Sequence, residues 1–216
     1  MVAATGWRIL GCALLLAALA ACAGEAPPPP SVSPLPPQGS LAACLWTLGQ
    51  RHVRYDRVRD WGRPGQCGIQ GAIRLRRDDV AWSRPLLMTC HLAEQLDRYE
   101  LQVVQPAAWR YFRQRVRRIA NVGTYNCRDE RSSRRRRRLS QHAYGKAIDI
   151  TGFELEDGSF ISVRRDWFVP GDKAAFLHDV AKGACGLFSV VLTPDYNAFH
   201  RGHMHLDVGP YRLCGI

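Results

Sequence analysis

The stretch Ser140-Gln141-His142-Ala143-Tyr144-Gly145-Lys146-Ala147-Ile148-Asp149-Ile150 joins an imidazole to a carboxylate through a turn. From Ala147 onward it alternates as a strand does. Ile148 and Ile150 face one way, Ala147 and Asp149 the other. Asp149 is then presented on a strand face, beside a small residue that leaves room. Gly145 lets the backbone turn between His142 and that strand. A step across such a turn can bring His142 and Asp149 to one ion, which two adjacent strand positions could not do.

A second stretch, His200-Arg201-Gly202-His203-Met204-His205, adds three imidazoles, so four of the seven histidines fall in two places. If His203 to Asp207 is a strand, His203 and His205 emerge on one face. Met204 and Leu206 then take the opposite, apolar face. One of the two imidazoles can bind a metal while the other sits over metal-bound water. Two histidines and one aspartate are enough to hold zinc and leave a position open. Zinc lowers the pKa of its bound water to roughly 7, and a nearby histidine can take or give the proton. A His-x-His pair alone is weak, being common on exposed strands. The frame Ser-x-His-x-x-Gly-x-Ala-x-Asp beside it is what points to metal.

Those residues carry a resemblance. Ser140 to Asp149 with His203-Met204-His205 resembles the zinc peptidase group that includes lysostaphin-type enzymes, D-Ala-D-Ala metallopeptidases and the hedgehog signalling domain. From about Cys44 to the C-terminus the chain also resembles the bacterial extensin-like C-terminal domain family. The segments that carry this are Tyr125-Asn126-Cys127-Arg128, Leu139-Ser140-Gln141-His142-Ala143, Ala147-Ile148-Asp149-Ile150, Pro194-Asp195-Tyr196-Asn197 and His203-Met204-His205-Leu206-Asp207. The resemblance implies that His142, Asp149 and His205 are zinc ligands and that His203 is the catalytic partner beside the water. His200-x-x-His203-x-His205 is similar to the penicillin-insensitive murein endopeptidases, where the extra histidine also lines the site. Arg128 would match an arginine that steadies the oxyanion in the D-Ala-D-Ala enzymes. In one respect the chain departs from those enzymes. They carry a glutamate three residues before the last ligand, and here that position is Gly202.

Upstream, Met1 to Ala21 reads as a secretion signal, with Arg8 before a short apolar run. The run is too short for a bilayer span, which takes ~20 residues. Leu19-Ala20-Ala21-Cys22 resembles a bacterial lipobox, which would make Cys22 the lipidated N-terminus of the mature protein. Ala23 after it implies outer-membrane delivery, facing the periplasm. Residues 22–39 are dominated by proline and read as an extended tether. Residues 40–216 have the length of one domain, and a 46% hydrophobic composition agrees with a core. Apart from Cys12 and Cys22 there remain Cys44, Cys67, Cys90, Cys127, Cys185 and Cys214. Six cysteines in an exported domain imply three disulfides. Absence of Cys-x-x-Cys disfavours a thiolate zinc site or a redox centre. Pairing along the chain would join Cys44 to Cys67, Cys90 to Cys127 and Cys185 to Cys214.

The predicted elements are a helix over Leu41–Gln50, a strand over Ala72–Leu75 and a helix from a Thr89 cap to about Val104. Pro106 is expected to break that helix, and another restarts over Ala107–Arg113. Val116–Tyr125 reads as extended. Ala147–Phe153 and Phe160–Val163 form a hairpin around Asp157-Gly158. Gly171-Asp172 opens a helix to about Gly183, and Phe188–Leu192 and His203–Val208 supply the last strands. The expected fold is α+β, an antiparallel sheet core with flanking helices, similar to the hedgehog and DD-peptidase domains. Trp46, Trp61, Trp82, Trp109 and Trp167 are expected in the core.

The formal charge is +11, with arginine far outnumbering lysine and a dense run at Arg134–Arg138. Either this is a solvated loop, or it attracts anionic envelope polymers and stem peptides at the cleft rim. Nucleic acid is not expected as a partner of an exported lipoprotein. The expected function is an envelope-anchored zinc metallopeptidase, of endopeptidase or carboxypeptidase type, acting on peptidoglycan peptide cross-links. The alternative is a module that binds zinc or peptidoglycan and turns nothing over, which Gly202 favours.

Overall fold

Local capping rules set where the elements begin. Ser40 Oγ accepts from Ala43 N to open α1 (Leu41–Gln50), and Thr89 Oγ1 accepts from Leu92 N to open α2 (Cys90–Tyr99). These and all later details come from a computed structural model that describes Met1 and residues 39–76, 80–130 and 138–216. The signal segment beyond Met1, Cys22, the proline tether up to residue 38 and Arg134–Arg137 of the arginine run lie outside the described residues.

After α1 comes β1 (Tyr55–Arg57), then β2 (Ala72–Leu75), β3 (Ala81–Trp82) and β4 (Leu86–Thr89). After α2 the chain passes through a π-helical stretch (Glu100–Val104) into α3 (Gln105–Phe112), followed by β5 (Val116–Asn121). A single 3-10 turn (Gln141–Tyr144) leads into the long strand β6 (Ala147–Leu155). Then follow β7 (Phe160–Ser162), α4 (Val163–Asp166), α5 (Asp172–Ala184), β8 (Val190–Leu192), β9 (Met204–Asp207) and β10 (Leu213–Gly215).

The main sheet runs β10-β8-β9-β6-β5-β3, with β7 beside the far half of β6, and β1-β2-β4 form a small second sheet. The fold is α+β, but the main sheet is mixed rather than antiparallel, because β10 pairs parallel with β8 and β3 parallel with β5. The β10 case has a simple cause. The chain turns back after β9 and steps over β8, so a strand opposed to β9 lies parallel to β8. One face of the sheet buries Ile148, Ile150, Phe153, Val191, Met204 and Leu206 against α2, α3 and α5, whose Leu96, Ala108, Phe176 and Val180 are equally buried. The opposite side chains of β6 and β9, Asp149 and His205, are thereby left on the open face.

Pro106 does not break the helical path. The Gln105 N–H bonds Glu100 O, a wide i→i−5 turn, and Pro106 then falls in the first turn of α3, where its missing N–H costs nothing. The tryptophans are also not all core residues. Trp167 is buried, donating Nε1–H to Asp195 Oδ2 at 2.9 Å, whereas Trp46 and Trp109 are exposed.

The disulfides are Cys44–Cys90, Cys67–Cys127 and Cys185–Cys214. Only the last follows the order of the chain. The expected Cys44–Cys67 and Cys90–Cys127 pairs are overturned because α1 packs on α2, at whose first residue Cys90 sits. Cys67 instead lies in the loop against the turn Gln141–Tyr144, where Gly68 N donates to Ala143 O at 2.9 Å. Such disulfides fit an oxidising compartment outside the cytoplasm. No helix among the described residues is long and apolar enough to cross a membrane.

Candidate metal centre

Two paired strands, β6 and β9, and one turn build the site. Ser140 caps the 3-10 turn: its Oγ accepts from His142 N at 3.3 Å and its carbonyl accepts from Ala143 N at 2.8 Å. Ser140 is thus a turn former. Gly145 ends the turn in the left-handed region, φ 61°. The chain then enters β6, where Asp149 stands directly opposite His205 of β9. His142 comes from the turn, not from the sheet.

His142 Nε2, Asp149 Oδ1 and His205 Nδ1 form a nearly equilateral triangle with sides of 3.1, 3.0 and 3.2 Å. Donors on a tetrahedral zinc at about 2.0–2.1 Å stand about 3.3–3.4 Å apart, so the triangle is close to one face of that tetrahedron. The outer nitrogens explain why lone pairs point inward. His142 Nδ1 lies 2.8 Å from the Thr124 carbonyl, which can only accept, so Nδ1 carries the proton. His205 Nε2 lies 3.1 Å from Asp207 Oδ2 and donates to it, while Asp207 Oδ1 accepts from Gly209 N at 2.8 Å. Two imidazole lone pairs and a carboxylate oxygen therefore face one another. Such a set repels itself unless a cation or protons lie between.

The electrostatics express the same pull toward positive charge. With protons rather than a cation between the donors, burial pushes the Asp149 carboxyl up, but hydrogen bonds from the doubly protonated rings of His142 and His205 outweigh it and hold the group well below the usual carboxylate range. Burial also opposes charge on His205, yet Asp149 and Asp207 lift its imidazole to about 9. His200 goes the other way: burial, then the neighbouring His203 and His205, push it down to about 4.

The site opens into a cleft of about 370 Å³. His200, His203 and Arg128 all line it together with Asp149 and His205. His203 precedes β9 on the same side as His205, and its Nε2 is 3.6 Å from Asp149 Oδ1. His200 Nδ1 is held by Asn197 Oδ1 at 2.8 Å, and the His200 and His203 rings are 5.1 Å apart. Ser140 N donates to the Arg128 carbonyl at 3.0 Å, which fixes the arginine's backbone beside the metal turn. His52 and His91 are exposed, and His178 lies against Trp167 with ring centroids 4.4 Å apart, so none of them joins the site.

Sequence reasoning overlooked Thr124, Asp207 and Asn197. Asp207 was legible in principle, two residues after His205 on the same strand face. Thr124 acts through its carbonyl, which no side-chain pattern signals.

No curated protein and no solved structure matches the chain. The family model described as the extensin-like protein C-terminus matches residues 42–215, which contain the turn, both site strands and all three disulfides. The chain therefore belongs to the extensin-like C-terminal domain family.

Proposed function

We propose that this protein is an envelope-anchored zinc-dependent peptidase acting on the peptide cross-links of peptidoglycan. The observation that carries the reading is the triangle of donor atoms from His142, Asp149 and His205 at the end of an open cleft, with His203 beside it. Zinc, when bound there, supplies a Lewis acid and a water acidic enough to attack an amide near neutral pH. The residues supply the rest. Thr124 and Asp207 hold the two imidazoles in the ligating tautomer. His203 moves the proton to the leaving amine, and Arg128 and His200 line the same cleft where charge develops on the carbonyl oxygen. The likeness to lysostaphin-type, D-Ala-D-Ala and hedgehog-type proteins supports this at the metal frame only. The substrate and the lipid anchor at Cys22, facing the periplasm from the outer membrane, rest on the sequence and on the compartment that the disulfides fit.

One observation favours a second reading, a binding module without turnover. The position three before His205 is Gly202, which offers no carboxylate, and the nearest group to an added Cβ there is the Arg164 side chain, its Nε at 3.2 Å. Purified sacculi incubated with the zinc-loaded protein, with and without chelator, separate the two. New chelator-sensitive amines support the peptidase. Firm binding of sacculi with no new amine supports the module and ends the peptidase reading.

A further inference from the structure

We propose that the sheet face beside the metal centre is a subsite for a peptide residue with an aliphatic side chain and a free carboxylate, the carboxylate being held by Arg138. The proposal rests on the peptidase reading and names the part of the peptide that the cleft selects.

Strand register lays out the floor. Asp149, His205, Leu192 and Gly215 form one row across β6, β9, β8 and β10, and Ala147, Asp207, Val190 and Leu213 form the next. Positions two apart on a strand share a face. Val190, Leu192 and Leu213 thus continue the surface on which His205 and Asp207 stand, and all three line the cleft. From β9 to β10 is two strand spacings, about 10 Å, the reach of about three extended residues. Leu213 is 43% exposed, so this apolar floor is open to a ligand.

The walls are aromatic. Tyr196, Phe199 and Tyr211 line the cleft and are 45%, 59% and 54% exposed. The Tyr196 ring lies on Gly215, where an added Cβ would come within 2.7 Å of Cδ2. An apolar floor with ring walls fits a small aliphatic side chain.

Two arginines, Arg128 and Arg138, line the cleft, together with the Glu130 carboxylate. The Arg138 guanidinium lies 4.4 Å over the Tyr211 ring and lines the cleft. Among the described residues it makes no ion pair. Asp149 and Asp207 are both engaged by His205. A planar cation positioned on a ring is complementary to a carboxylate through paired N–H donors. A neutral glycan strand would cover the rings and leave that charge unmatched.

The test titrates zinc-loaded protein calorimetrically with N-acetyl-trialanine of each chirality, as the free acid and as the C-terminal amide. For one chirality the acid should bind at least about tenfold tighter than the amide. Arg138→Gln should level acid and amide, with zinc content and thermal unfolding unchanged. Leu213→Asp should weaken both. Equal binding of acid and amide, an acid preference that survives Arg138→Gln, or no binding of either chirality overturns the subsite. The sacculus digest is read separately. Intact sacculi with Arg138-dependent acid binding sink the peptidase and leave the subsite. Cut cross-links with no acid preference do the reverse.

Discussion

Asp207 Oδ2 accepts from His205 Nε2 at 3.1 Å, and Asp207 Oδ1 accepts from the Gly209 amide, so a buried carboxylate fixes the ring of a metal-site histidine. Asp207 thereby decides which nitrogen of His205 faces Asp149. Removing it frees the tautomer and lets the ring rotate. Asp207→Ala should weaken zinc binding by about 10–100-fold. Competition against a chromophoric chelator measures this. An unchanged affinity would show that the strand alone orients His205.

The three donors act as a set, so losing any one should empty the site. His142→Ala, Asp149→Ala and His205→Ala should each remove most bound zinc by elemental analysis. His203→Ala should keep the metal and lower hydrolysis by about 10²–10⁴-fold, the usual worth of a positioned proton-transfer group. Zinc retained by His205→Ala would mean that His203 or His200 is the true third ligand.

A pH dependence arises away from the metal. Asp60 accepts from Gly71 N and Ala72 N at 2.9 Å each, and these bonds hold its carboxyl below the ordinary value. A depressed folded pKa contributes stability above the unfolded pKa of about 3.9, lost as pH falls through the folded value. Because Asp60 is exposed, the effect is modest. Asp60→Ala should cost about 1 kcal/mol at pH 7, and the gap to wild type should narrow below about pH 4. Urea unfolding at both pH values checks it, and a gap that widens in acid would refute the assignment.

Cys67–Cys127 closes a loop that includes Thr124 and ends one residue before Arg128; its sequence separation is 60 residues. A loop of that length contributes about 4 kcal/mol by the chain-entropy model. Replacing both cysteines by serine should lower stability by about that amount and also weaken zinc, since the Thr124 carbonyl orients His142. The Cys185–Cys214 pair, separated by 29 residues, ties the end of α5 to β10, which β8 separates from the His205 strand, and should affect stability more than zinc affinity. Equal zinc losses in both double variants would detach the first disulfide from the site.

The candidate metal group was legible because each of its two segments carries its own local pattern. Ile148 and Ile150 alternate with Asp149, and His205 repeats the pattern between Met204 and Leu206. The hairpin at Asp157-Gly158 and the helix from Asp172 were equally plain, since turn residues and caps act within a few positions. What was hidden depends on distant partners. The strands Ala81–Trp82 and Leu213–Gly215 are too short to show a period, and their parallel pairing comes from chain path. The pairing of Cys44 with Cys90 follows from helix packing, which spacing does not encode. Pro106 misled because the wide turn before it leaves no mark in composition.

Gly145 joins the turn to the strand and is the site's most exacting backbone position. Its φ is 61°, and an added Cβ would meet Ile69 Cδ1 at 2.4 Å and Cγ1 at 2.8 Å. The first effect is conformational and the second steric, so they can be separated. Gly145→Ala should destabilise by about 1–3 kcal/mol and weaken zinc, because His142 sits three residues back on the same turn. Ile69→Ala combined with Gly145→Ala removes the clash but not the left-handed strain. Ile69 is fully buried, so the double variant also carries the cavity cost of the lost side chain. Stability should therefore not recover, whereas zinc affinity should recover in part as the turn returns to its place. A double variant that binds zinc no better than Gly145→Ala would assign the whole effect to backbone conformation.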